Sequence, residues 1–303
     1  MTVPVKISPL LRLLLTGLLI AAGGSLARAS DATDAVAKGN EAIARRDVDA
    51  AIASFSTAIQ LNPKDPAALY YRGMAYDMKG DTARSIVDFS ASIALNPGSP
   101  VTYIVRGVAY AKIGDTAPAF DDANAAIKLD PHNAAALCLR GGLYEQKDDH
   151  GRALADFTAS LQTDPDYYFS YLGRASLYQN QGDYALANQD LEQVLRLSPN
   201  SEDALNGLAW NLATAPDPAF RNGARALRYA MKVCELTKWK NAGYIDTLAA
   251  VYAEIGDFEE AVKTQKKAVA LLGAGERGDE LRDHLKLFEQ NLPFHEAAKT
   301  KAK

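Results

Sequence analysis

The chain has 303 residues, 33 basic against 37 acidic, and a formal net charge of −4. That length fits two ordinary globular domains, and the mildly acidic balance excludes the basic face that nucleic acid or an anionic membrane rewards.

In chain order, residues 1–29 come first and read as a cleavable secretory signal. Lys6 and Arg12 precede an apolar run over 13–22, and Ala27-Arg28-Ala29 supplies a small-x-small site before Ser30. The run is softened by Thr16 and Gly17 and falls below the ~18–20 residues that span a bilayer, so a retained anchor is the weaker reading. Cleavage would leave 30 basic against 37 acidic residues, in a chain expected in the periplasm or outside the cell and not inserted in the membrane.

A 34-residue beat then governs the chain. Pro63, Pro97, Pro131, Pro165 and Pro199 keep it, as do Gly39, Gly73, Gly107, Gly141, Ala175 and Ala209, and Tyr76, Tyr110, Tyr144 and Tyr178. Such a period marks stacked helix-turn-helix units, each burying its apolar face against its neighbours. The second unit shows the logic. Asp65 and Pro66 open a helix with an acceptor and a harmless missing N–H. Leu69, Gly73 and Tyr76 share one face of it. Gly80-Asp81 supplies a left-handed stop and the next cap, Ile86, Phe89 and Ile93 line the second helix, and Asn96-Pro97 ends it.

The pattern Leu69, Gly73, Tyr76, Phe89, Pro97 resembles the tetratricopeptide repeat, and its echoes extend the resemblance over about residues 32–270. Unit one offers Gly39, Phe55 and Pro63; unit three has Ala123 where an aromatic is usual; unit five has Ala175 for the glycine and Leu191 for the aromatic. Units 1–5 occupy 30–199. Two atypical units occupy 200–272, the sixth with an insertion over 215–223 in place of the tight turn. Residues 273–303 give an amphipathic cap, with Leu281, Leu285 and Phe288 in phase, and a basic tail of Lys299, Lys301 and Lys303. The resemblance implies an all-α, right-handed superhelical solenoid of about seven helix pairs with a C-terminal capping helix.

Cys138 falls on the first helix of one unit and Cys234 on the second helix of a unit two further on, so two buried thiols without an intramolecular bridge are expected. Arg72, Arg106, Arg140 and Arg174 also keep the beat, each followed 16 residues later by Asp88, Asp122, Asp156 or Asp190. Units with Lys38, Leu208 or Leu248 in place of the arginine also lack the aspartate. That match favours helix-to-helix ion pairs over a ladder that grips an anionic ligand.

In the resembled fold the first helices line a concave groove. Carried over by position, the groove residues here include Tyr70, Met74, Asp77, Met78, Ile104, Val108, Phe169 and Leu172, then polar ones such as Asp203, Asn206, Trp210, Asp246 and Glu254. An apolar trough turning acidic suits a peptide with hydrophobic anchors. The lysine-and-asparagine clamp of chaperone-binding relatives is missing, with Val36 and Tyr70 at its positions and Asn40 alone in place. The insertion over 215–223 and the stretch 239–246 are second candidates for a site, although Asp246 has a local alternative, a bond to a backbone N–H or to the Trp239 indole. No metal or other cofactor is expected and no catalytic constellation is seen; His132, His150, His284 and His295 are assigned to loops, turns and the tail. The expected work is that of a scaffold binding a protein or peptide partner. The alternatives are a self-associating envelope protein and a chaperone-like holder of exported chains.

Overall fold

The computed structural model describes residues 31–272 and 276–298; the expected signal segment and the three tail lysines lie outside them. Among the described residues there are fifteen α-helices, one 3-10 turn and no strand. They form two units, one ending at Tyr167 and the other beginning at Tyr168.

The first unit holds four helix pairs: α1 (Asp31–Ala44) with α2 (Val48–Leu61), α3 (Pro66–Met78) with α4 (Thr82–Leu95), α5 (Pro100–Lys112) with α6 (Thr116–Leu129), and α7 (Ala134–Glu145) with α8 (His150–Thr163). Each pair packs within itself and on the next, as α2 on α3, α4 on α5 and α6 on α7. This is the all-α, stacked-pair architecture expected from the beat.

Local chemistry sets the ends. Asp47, Asp65, Asp81, Asn133 and Asp149 each accept a hydrogen bond from a first-turn N–H of the helix that follows. Gly80 and Gly114 turn the chain at φ +85° and +79°.

The glycine ladder has a packing cause. A Cβ on Gly39 would lie 2.4 Å from the Phe55 ring, one on Gly73 2.7 Å from Phe89, and one on Gly141 2.9 Å from Phe157. The small residue on each first helix therefore admits the aromatic of its partner helix. Where Ala123 replaces the aromatic, Leu139 of the next pair fills the space, 2.9 Å from a Cβ on Gly107. Where Ala175 replaces the glycine, the opposing residue has shrunk to Leu191.

The second unit holds α9 (Tyr168–Gln181) with α10 (Tyr184–Leu197), α11 (Glu202–Thr214) with α12 (Gly223–Leu236), α13 (Ala242–Glu254) with α14 (Phe258–Leu272), and then α15 (Glu276–Glu289). Between α11 and α12 the tight turn gives way to a loop with a 3-10 turn at Pro218–Phe220. The cap α15 packs on α14 and α13, burying Leu281 and Phe288. Cys138 and Cys234 are both buried and carry no disulfide; burial pushes the Cys234 thiol up to about 12, leaving it protonated and unreactive.

Candidate functional site

The arginine ladder is a set of forks. In each pair the guanidinium gives two hydrogen bonds to one carboxylate: Arg72 to Asp88 at 2.7 and 2.8 Å, Arg106 to Asp122 at 2.9 and 2.7 Å, Arg140 to Asp156 and Arg174 to Asp190 at 2.7 and 2.8 Å. A further N–H of the first three reaches back to the preceding pair's second helix, at Ser56, Ser90 and Asn124. These three forks thus join three helices each, and all four aspartates are buried. Guanidinium groups used in this way are packing elements.

The first-unit trough is largely closed. Met74 is 2 % exposed, in a cluster with Phe89, Val105 and Ala109. Ile104 and Val108 are 1 % exposed. Asp77 is buried in an ion pair with Lys112 of the next first helix, and its second oxygen, Oδ1, finds no hydrogen-bond partner. Tyr70 is half-buried against Tyr71 and Phe89, with ring centroids 5.3 and 6.1 Å away; burial, then the neighbouring Tyr71, pushes its hydroxyl up to about 12. Met78 is exposed. The reason is geometric: α3 packs on α5 and α5 on α7, so positions assigned to the groove face the neighbouring first helix. Met74, Ile104 and Val108 are core residues, and a partner could reach them only by unpacking the repeat.

In the second unit Phe169, stacked on Tyr168 at 4.1 Å, and Leu172 are likewise buried. Asp246 contacts neither a backbone N–H nor Trp239 in the described bonds; its Oδ1 accepts from Gln265 Nε2 at 2.6 Å and lies 2.8 Å from His284 Nδ1. His284 is therefore not a loop or tail residue: it is buried on α15. Burial works against its charged form, but the Asp246 bond and the charges of Asp246, Glu280 and Asp283 outweigh that and raise its pKa. Asp203 is pushed up to about 6, by burial and then by Glu202.

Trp210 and Glu254, both placed at the polar end of the groove by the sequence, are brought together by the chain's own C-terminal segment. Residues 293–298 have no regular structure and lie against the C-terminal ends of α11 and α13. The Glu296 carboxylate accepts from the Trp210 indole N–H at 2.7 Å and from the Tyr184 hydroxyl at 2.5 Å. The Glu296 backbone N–H gives to the Thr214 carbonyl at 2.8 Å. Phe294 sits beside Trp210 and His284, with centroids at 5.7 and 4.3 Å. His295 Nε2 is 2.7 Å from Glu254 Oε2, and the other Glu254 oxygen accepts from Arg221 at 3.0 Å.

The insertion makes this possible. The chain leaves the helix at Ala215, φ −51° and ψ 135°, so the end of α11 is not followed at once by a second helix. Arg221 holds the loop by donating to the Ala215 and Pro216 carbonyls. Sequence reasoning missed Tyr184, Phe294 and Glu296 because none keeps the beat; Arg221 falls within the insertion over 215–223 that the sequence singles out. The signals available were the insertion itself and an aromatic-His-acid triplet after Pro293.

Among the described residues no group of three or more His, Cys, Asp or Glu is placed to hold a metal ion, and no helix is long and apolar enough to cross a membrane.

Models of the tetratricopeptide repeat match residues 36–100 and 104–168, 140–206, and 243–271, together more than half of the chain. Comparison with curated proteins returns no match. Among solved structures, PilW, a widely conserved type IV pilus biogenesis factor, is 17% identical with a TM-score of 0.61, over 72% of this chain and 98% of its own. A tetratricopeptide repeat protein from Parabacteroides merdae is 21% identical at TM-score 0.59, over 86% and 99%. The Cut9–Hcn1 hetero-tetramer of the APC/C is 15% identical at TM-score 0.59, over 92% and 45%. At these identities the likeness is one of fold.

Proposed function

The chain belongs to the tetratricopeptide repeat family, and on that premise we propose that it is a non-catalytic scaffold that holds an extended segment of a partner protein. The observation that supports this reading most is residues 293–298: a stretch without regular structure, gripped by side chains of helices and by a helix-end carbonyl. A surface that offers hydrogen bonds at fixed points and a slot for a ring is suited to peptides. The sequence of residues 1–29 supports placing this work in an exported compartment.

Site-specific photocrosslinking tests it. A benzophenone side chain at Tyr70 or Met78 of the full chain, on a first helix, is expected to capture a defined partner in the cells of origin. The same group at Val87, an exposed second-helix position, is the control. Capture only at Val87, or at none of the three and none from the same group at the exposed Ala297 beside the gripped segment, overturns the scaffold reading.

A further inference from the structure

The contacts of residues 293–298 have the character of a ligand in a site. The supporting helices are fixed without it: α11 packs on α12 and α13, α13 on α14 and α15. The segment adds no helical turn, and residues 297 and 298 are already exposed. Its polar needs are nonetheless met in detail. Two neutral donors from different helices, the Tyr184 hydroxyl and the Trp210 indole, converge on one carboxylate. A carboxylate, Glu254, receives the residue before it, and Trp210 and His284 flank the ring two positions before it.

Take the segment away and the needs remain. Tyr184 is 2 % exposed with the tail in place, so the tail's departure opens this slot and leaves the hydroxyl donor without the carboxylate it serves. Thr214 would keep a helix-end carbonyl without the Glu296 N–H. A site so furnished selects whatever brings an aromatic ring, a main-chain N–H and a carboxylate at the same spacing.

We propose that residues 293–298 are a built-in competitor for a peptide-recognition site on α10, α11, α13 and α15. The partner it excludes carries an aromatic residue followed two positions later by an acidic one. This deepens the scaffold reading and rests on it. The tail sets a threshold: tethered close to the site, it acts at an effective concentration in the millimolar range. A partner must supply further contacts, or arrive when the tail has been drawn away.

The test is a titration of a fluorescein-labelled Pro-Phe-His-Glu-Ala-Ala peptide, the sequence of 293–298, onto the full chain. Its comparison is the full-length double variant Phe294→Ala, Glu296→Ala. If the tail holds the site at least nine-tenths of the time, freeing it tightens peptide binding about tenfold or more. Adding Tyr184→Phe to the double variant, or changing the peptide's Glu to Gln, should remove most of that binding. A double variant that keeps its helicity and binds no tighter than the parent overturns the proposal. Should the double variant lose helicity, hydrogen exchange on the unmodified chain decides instead. Excess peptide must speed exchange of the Glu296 amide while the α11 and α13 amides stay protected, and unchanged exchange overturns the proposal. Crosslinking from Met78 can succeed while this fails, which would leave the scaffold reading standing without this site.

Discussion

The first four helix pairs and the last three are built from one unit, yet they spend their polar groups differently. In residues 31–167 buried polar side chains tie helix to helix: the three arginine forks, and Lys112 on Asp77. In residues 168–298 one fork remains, and the other polar groups form irregular networks. Gln179, Asn211 and Asn188 link three helices, while Trp210, Tyr184 and Glu254 turn to the C-terminal segment. A repeat that keeps its beat uses its conserved-in-register residues for packing. Where the beat breaks, helix ends and side chains become available for something else.

The fork is the strongest test of regularity. Burial pushes the Asp122 carboxyl up, while its hydrogen bonds raise the Arg106 pKa; the bidentate geometry requires a carboxylate, so the pair is ionised and desolvation consumes much of its attraction. Removing one partner strands the other. Arg106→Ala should cost about 3–5 kcal/mol in urea unfolding, and Arg106→Met with Asp122→Leu together far less. A single variant that costs under about 1 kcal/mol would mean the ladder is free to serve a ligand.

Adjacent glycines in α7 give an internal control. A Cβ on Gly141 meets the Phe157 ring at 2.9 Å, whereas nothing lies within 4 Å of one on Gly142. Gly141→Ala should therefore lower stability by about 1–3 kcal/mol through overpacking. Gly142→Ala should raise it by up to about 1 kcal/mol through helix propensity and a less free unfolded chain. Equal melting shifts of one sign would refute the account of the glycine ladder.

These cases show how much was legible beforehand. The forks could be read because arginine and aspartate appear and vanish together, and the hairpins because caps and turns are local. The sequence assigns Met74, Ile104 and Val108 to a groove because one first-helix face serves two ends, the concave surface and the neighbouring helix, and periodicity cannot separate them. The insertion and the Phe294-His295-Glu296 triplet mark the tail as unusual, but nothing in the sequence pairs it with its partners. Trp210 and Tyr184 meet Glu296 across 86 and 112 residues, with no repeat to echo the pairing.

Asp203 belongs to the irregular unit. Its folded pKa of about 6 lies above the ordinary carboxyl value of 3.8. The folded state therefore binds a proton more tightly than the unfolded chain does. Whatever stability the protonated form brings is fully present below pH ~4 and is lost as pH rises through about 6. Asp203→Asn, uncharged throughout, should raise stability near pH 7.5 by about 1–2 kcal/mol, allowing for partial exposure, and change little near pH 4. A gain that is the same at both pH values would show that charge is not the cause.

His284 should give the smallest effect, and one confined to the C-terminal cap. Its folded pKa is raised above the usual histidine value by Asp246, with Glu280 and Asp283 adding to it, against the pull of burial. The sign follows from linkage: the stabilisation is complete below the unfolded value near 6.5 and disappears as pH climbs through the higher folded one. Because His284 also flanks Phe294 at 4.3 Å, losing its charge should loosen α15 and residues 293–298 together. Hydrogen exchange at pH values on either side of that window, corrected for the intrinsic rate, should therefore show opening of α13, α15 and the tail segment while the helices of residues 31–167 keep their protection. Asp246→Asn should flatten this dependence. Exchange that rises equally in both units would assign the pH response to the whole repeat array and not to this one buried pair.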